Sequence, residues 1–325
     1  MPTSATVEAL TPIWQRVLQL SSVGADDNFF DLGGDSALAL QLFNEIGLAL
    51  EREFPPVMIY HAPTIAALAA LLEQPVAPRV PPLVQLKAGS REPPVFIAHG
   101  LGGSVMDFFQ VVKHIQTPHA IHGLQAKGID GVAEPFDRIE AMARYSLDAV
   151  RELQPHGPYL LVGFSLGGLV TMEMAQQLTA EGEKIGLLAM LDSYPHVSRL
   201  SRAQRVRLST RQMWRRVAGR LQWLGVRPPY QTTVEVAPSP ALQHFRDTSH
   251  LALERYQPRF YPGKISFVRA AIPTDFPADP AAVWFPLAQE FEVETVPGDH
   301  LGIMTTHFED LASKISTLLR KTSSE

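Results

Sequence analysis

The sequence contains no cysteine, which removes disulfides, thiolate metal sites and a cysteine nucleophile at once. It also lacks a long apolar run. The longest pure one, residues 65–72, falls far short of the ~20 residues that a membrane-spanning helix needs. The first ten residues have neither a basic start nor an apolar stretch behind it, so no secretory leader is expected there. These absences predict a cytoplasmic protein with no metal, and neither a membrane nor a nucleic acid as partner. Basic residues are scarce in the first 73 positions, where nine acids face only Arg16 and Arg52, a net −7. Acids are missing from residues 193–234, which carry nine arginines. An acidic segment and a basic one in the same chain predict mutual or partner electrostatics, although solvated faces would carry the same charges.

A chain of 325 residues, 46% apolar and 19% charged, has the length of two domains and the composition of a globular core. Residues 74–94 hold six prolines and little periodicity, so a semi-extended linker is expected over 75–94. Ahead of it, Leu10, Ile13, Trp14, Val17 and Leu18 recur at helical spacing. Asp35 or Ser36 can cap a second helix running to about residue 52. A short turn at 57–60 and a helix over 65–72 follow, which makes a small all-α, four-helix bundle over residues 1–74. Beyond the linker the pattern alternates. Strand-like runs at 95–98, 121–124, 159–162, 185–191, 264–269 and 291–296 are separated by helical patterns such as 139–153, 169–180 and 308–319. Alternation of this kind predicts a parallel sheet covered on both faces, an α/β domain over 95–325. Residues 195–257 break the rhythm, being helix-rich and too long for a connection, as a lid insertion would be.

Gly163-Phe164-Ser165-Leu166-Gly167 sits between a strand run and a helix pattern. Glycines on both sides of a serine permit the strained strand-to-helix turn that lifts Oγ above a sheet. A serine needs a base, and the base needs a carboxylate to orient it. His300 lies between the last strand run and the last helix. The chain order Ser…Asp…His is the one such a fold uses. Asp192, at the end of run 185–191, is the favoured acid. Asp275 and Asp299 are the alternatives. The glycine-rich turn after residue 98 (His99-Gly100-Leu101-Gly102-Gly103) can aim the Leu101 amide at an oxyanion, paired with the amide of Leu166. His99 itself reads as a histidine that packs the turn. Asp31-Leu32-Gly33-Gly34-Asp35-Ser36 opens the second helix. A serine there caps a helix, and a phosphodiester on it would face the positive helix end.

The stretch from Asp27 to Ser36, DNFFDLGGDS, with the later Ala62-Pro63-Thr64-Ile65-Ala66, resembles the peptidyl carrier domains of nonribosomal peptide synthetases. The part beyond residue 95 resembles their type I thioesterase domains, of α/β-hydrolase fold. The resemblance implies that Ser36 receives 4′-phosphopantetheine from coenzyme A through a phosphopantetheinyl transferase. It also implies upstream adenylation and condensation domains as partners, and an acyl or peptidyl thioester as substrate. Ser165, His300 and Asp192 would pass that acyl group through an ester to water or to an internal nucleophile. Ala37 departs from the family, where a larger apolar residue often follows the modified serine. An editing hydrolase of misloaded carriers and a non-catalytic docking module are the rival readings.

Overall fold

The computed structural model describes residues 4–51, 54–74, 80–206, 209, 240–273, 277 and 279–322, with the side chains of Ser4 and Ser36 excepted. Asp275 and six of the nine lid arginines (Arg207, Arg211, Arg215, Arg216, Arg220 and Arg227) lie outside the described residues. The first domain is built from α1 (Ser4–Leu18), α2 (Ser36–Leu50), a tight 3-10 turn (Pro56–Tyr60) and α3 (Ile65–Leu72). The fourth expected helix is thus a single 3-10 turn. Pro55 and Pro56 set extended and first-turn backbone there and leave too few residues for an α-helix. Leu10, Ile13, Trp14 and Val17 of α1 close on Leu42 and Ile46 of α2 and on Leu68 of α3, all buried. Thr64 caps α3 by accepting from the Ala67 amide at 3.1 Å, a local device worth ~1 kcal/mol.

The second domain carries a seven-stranded sheet. Its strands are β1 (Leu83–Lys87), β2 (Arg91–Ala98), β3 (His119–Leu124), β4 (Tyr159–Phe164), β5 (Ile185–Leu191), β6 (Tyr261–Ala270) and β7 (Ala288–Val296). They lie in the order β1-β3-β2-β4-β5-β6-β7. Every neighbouring pair is parallel except β1 with β3. The described helices include α4 (Phe109–His114), α5 (Ile139–Leu153), α6 (Leu166–Ala180), α7 (Pro240–Arg255) and α8 (Phe308–Thr322). Period-two alternation sends Phe96 and Ala98 toward the face with α5 and α6. Val95 and Ile97 go to the face with α4 and α8. Both faces are covered, so the β2 sequence from Val95 to Ala98 is apolar without a break.

The linker expected over 75–94 is corrected for Leu83–Lys87, which pairs antiparallel with β3, and for Arg91 onward, which is β2. Prolines at 81, 82, 93 and 94 mask the strand signal, yet they fall at a strand start and beside a register shift, where no ladder amide is needed. β1 also ties the two domains together. Val84 of β1, with Val105 and Met106 beyond β2, is buried in the same apolar cluster as the core of the first domain. The Phe30 ring stacks on Phe109 at 5.4 Å and 26°.

Candidate active site

The parallel strands end along one edge, and the sequence-predicted side chains meet there. Ser165 follows β4 and has φ 55°, ψ −117°, a strained backbone that a non-glycine residue adopts only when its surroundings hold it. The surroundings are tight. A Cβ on Gly163 would lie 2.3 Å from the Gly167 carbonyl oxygen, and one on Gly167 would lie 2.3 Å from that of Ala98. No residue but glycine permits that turn. The Ser165 amide donates to the Leu191 carbonyl at 2.9 Å, which pins the turn to the end of β5.

His300 Nε2 lies 3.0 Å from Ser165 Oγ, and its Nδ1 lies 2.8 Å from Asp192 Oδ2. Asp192 is 4% exposed and has its own left-handed backbone, φ 46°. Its amide donates to the Val268 carbonyl at 2.7 Å. Its Oδ1 accepts from the Ala270 amide at 3.1 Å. Both carboxylate oxygens therefore have donors, one from the backbone and one from the imidazole. Phe164 stacks on the imidazole face at 4.7 Å and 21°, fixing the ring plane. Asp299 is turned elsewhere, with Oδ1 accepting from the Gly302 amide at 2.7 Å and closing the turn into the short helix Gly302–Thr305.

Leu166 is the first residue of α6, so its amide is among those with no acceptor within the helix. Gly100 stands against the serine, since a Cβ on it would lie 3.7 Å from Ser165 Cβ. Leu101, the next residue in the turn, is the sequence-predicted oxyanion donor, one peptide away from that contact. A hydroxyl, an imidazole and a buried carboxylate in series form an array able to move a proton off Oγ. Beside it is a cavity of about 20 Å³ lined in part by His99, Phe136, Tyr145 and Phe245. It has room for little more than a water.

Ser36 begins α2. Asp35 ahead of it is the extended N-cap, its Oδ1 accepting from the Leu38 amide at 2.9 Å. A Cβ built on Gly33 (φ 91°) would meet nothing within 4 Å, whereas one on Gly34 would lie 2.3 Å from Phe29 Cε1, so the turn into α2 is open at Gly33 and packed at Gly34. The backbone donors at this helix N-terminus are chemically suited to a phosphodiester.

Sequence reasoning missed Asp107. The residue as a whole reaches solvent, but its carboxyl end is turned against the glycine-rich turn after β2, with Oδ2 2.9 Å from where a Gly102 Cβ would be. Desolvation pushes its carboxyl up to about 6, against the opposing effect of Arg246. No spacing rule marks such a residue.

The phosphopantetheine attachment site family matches residues 8–72, and the thioesterase domain family matches residues 93–319. Over 196 residues the chain is 40% identical to a dimodular nonribosomal peptide synthase of Bacillus subtilis, covering 60% of this chain and 8% of that one. Over 179 residues it is 37% identical to an indigoidine synthase of Dickeya dadantii, covering 55% and 12%. The chain thus spans only a small part of the curated relatives it matches. Among solved structures, a four-domain nonribosomal peptide synthetase bound to AMP and glycine aligns over 98% of this chain and 26% of its own, at TM-score 0.61 and 22% identity, a likeness of fold. The NocB thioesterase domain aligns over 70% of this chain and 95% of its own, at TM-score 0.53 and 26% identity.

Proposed function

The chain belongs to the thioesterase domain family, hydrolases acting on thioesters, with a phosphopantetheine carrier domain ahead of it, and from that premise we propose that it releases an acyl or peptidyl chain from its own carrier through an ester on Ser165. The observation that carries this reading is the continuous chain Ser165 Oγ–His300–Asp192 Oδ2, with separations of 3.0 and 2.8 Å. A phosphopantetheine on Ser36 would supply a long arm ending in the thiol that bears the acyl group.

His300 Nε2 takes the Oγ proton as Ser165 forms its bond to the thioester carbonyl carbon. The Leu101 and Leu166 amides receive the oxyanion, an interaction for which one donor is worth about 10²–10³ in kcat. The C–S bond then breaks, and His300 returns its proton to the departing sulfur. In the second half His300 deprotonates water, or a nucleophile within the acyl chain. The ester carbonyl is attacked, and Ser165 leaves with the proton. Asp192 keeps the proton of the neutral ring on Nδ1 and stabilises the imidazolium formed in each half. Adenylation and condensation domains of a synthetase, the proposed upstream partners, would deliver the acyl chain.

The test uses the full chain, coenzyme A and a phosphopantetheinyl transferase. Intact mass should rise by one phosphopantetheine and should not rise in Ser36→Ala. After loading from an acyl-coenzyme A, the wild type should lose the acyl mass, whereas Ser165→Ala should retain it. Equal release from Ser165→Ala would overturn the reading.

A further inference from the structure

The mechanism leaves unexplained what aims the Leu101 amide. His99 follows β2 and is buried. Its Nδ1 lies 2.8 Å from the Gly100 carbonyl oxygen. A carbonyl only accepts, so Nδ1 carries the proton. Burial holds the His99 pKa below its ordinary value, so the ring is the neutral Nδ1–H tautomer. The same carbonyl accepts a second hydrogen bond, from the Gly103 amide at 3.1 Å. In a planar trans peptide the carbonyl and the following N–H point in opposite directions. Two donors on Gly100 oxygen therefore fix where the Leu101 N–H points, and they polarise it toward stronger donation.

The other side of this turn is held by a helix distant in sequence. Phe245 of α7 is 1% exposed. Its ring meets His99 edge-to-face, at 6.0 Å and 67°. It also lies directly on Gly103, which has φ 73°, and where a Cβ would come 2.6 Å from Phe245 Cε1. One ring thus touches both the residue that donates to Gly100 and the glycine whose amide does the same. The far side of the turn is anchored within the sheet domain, with the Gly103 carbonyl accepting from Gln125 Nε2 at 2.8 Å and from the Ala126 amide at 3.2 Å.

We propose that His99 is the positioning residue of the oxyanion amide and that α7 locks it in place through Phe245, so that the seated lid helix and the working oxyanion turn are a single state. The proposal rests on the acyl-transfer reading of Ser165. It differs from simple core packing, which would affect stability and leave turnover alone.

The experiment measures kcat and KM on a small soluble acyl thioester, with thermal unfolding alongside, for His99→Leu, His99→Asn, Phe245→Leu and the double variant His99→Leu/Phe245→Leu. Leucine removes the donor, whereas the asparagine amide can replace Nδ1–H. His99→Leu should lower kcat roughly 10- to 100-fold at a near-constant KM, as a misaimed rather than deleted oxyanion donor would. His99→Asn should recover most of that loss. Phe245→Leu should lower kcat several-fold, and the double variant should be no worse than His99→Leu, because both act through one peptide. Unchanged kcat in His99→Leu, or no recovery in His99→Asn, overturns the positioning role. Losses that multiply in the double variant overturn the coupling to α7. Should His99→Leu fail to fold, Phe245→Leu decides alone, with unchanged kcat counting against the proposal. Ser165→Ala is assayed in parallel. Activity that survives there is a failure of the acyl-ester reading, whereas Ser165-dependent activity indifferent to His99 is a failure of this one.

Discussion

Asp192 is held on both oxygens, by the Ala270 amide and by His300, and this decides what its substitution does. Asp192→Asn keeps the shape and loses the charge that selects the Nδ1–H tautomer. In the serine-protease template that change costs about 10⁴-fold in turnover, on the order of 5 kcal/mol of barrier. The expected outcome is a loss of that size in kcat on a simple thioester with an unchanged circular dichroism spectrum, while Asp275→Asn costs little. The reverse pattern would move the acid one strand later. Asp107 gives a different single-residue prediction. Its folded pKa of about 6 lies above the ~3.9 of an unfolded aspartate. Between those values the folded state binds more protons, so the residue lowers stability as pH rises through that window. Asp107→Asn should therefore raise the melting temperature at pH 7 and leave it level with the wild type at pH 3. A variant less stable at both pH values would mean that the carboxylate makes a favourable contact. At this scale the site was largely legible. Glycines around Ser165, a carboxylate at a strand end and a histidine before the last helix each leave a mark in the chain. His99 was read only as turn packing, because its acceptor is the adjacent residue and sequence says nothing of a rotamer. Phe245 leaves no mark at all.

Periodicity placed the central strands β2, β4 and β5 because both sheet faces are covered there and their runs carry no charged residue, and it placed the flanking helices by their apolar faces. It failed at the sheet edge. β1 is only five residues long amid prolines, with Val84 alone buried, and its stability comes from β3, more than thirty residues later. Such pairing is a tertiary fact that local pattern does not carry. α7 was expected only as part of a lid. Its place is set by long-range contacts at both ends of the helix. Phe245 lies on the oxyanion turn near one end. At the other, Arg255 pairs with Asp137, and Tyr256 just beyond donates to the buried Glu173 of α6 at 3.1 Å. Burial above all, and then the charge of Glu173 and this bond, push the tyrosine pKa well above its ordinary value, so it stays a donor at any working pH. An element read from sequence as an insertion is in this way tied to the helix that follows Ser165 and to the turn that faces it.

Across the whole molecule, the charge split between the acidic first domain and the arginine-rich segment suggested electrostatic docking, but the described contact between domains is apolar. Phe30 precedes Ser36 by only six positions and stacks on Phe109, while Val84, Val105 and Met106 extend the carrier core. An aromatic pair is worth ~0.5–1.5 kcal/mol beyond its burial, whereas an exposed ion pair is worth ~0–1 kcal/mol and is screened by salt. Of the described lid arginines, Arg199 donates instead to the carbonyls of Glu254 and Arg255, at 3.3 Å each. The apolar contact should therefore govern how often the loaded arm meets Ser165. Phe109→Ala should slow release of an acyl group held on Ser36 roughly 2- to 10-fold, the rate equivalent of that aromatic term, and leave hydrolysis of a small soluble thioester unchanged. Single-turnover release after loading, against steady-state hydrolysis of the small thioester, separates the two. Repeating both as salt rises assigns the arginines. If release slows with salt more than hydrolysis does, charge steers the carrier before the rings seat. If the two rates respond alike, the arginines are a solvated face and the stacked rings carry the docking. If Phe109→Ala slows both substrates equally, the ring supports the nearby oxyanion turn, and the docking surface must be sought elsewhere on the carrier.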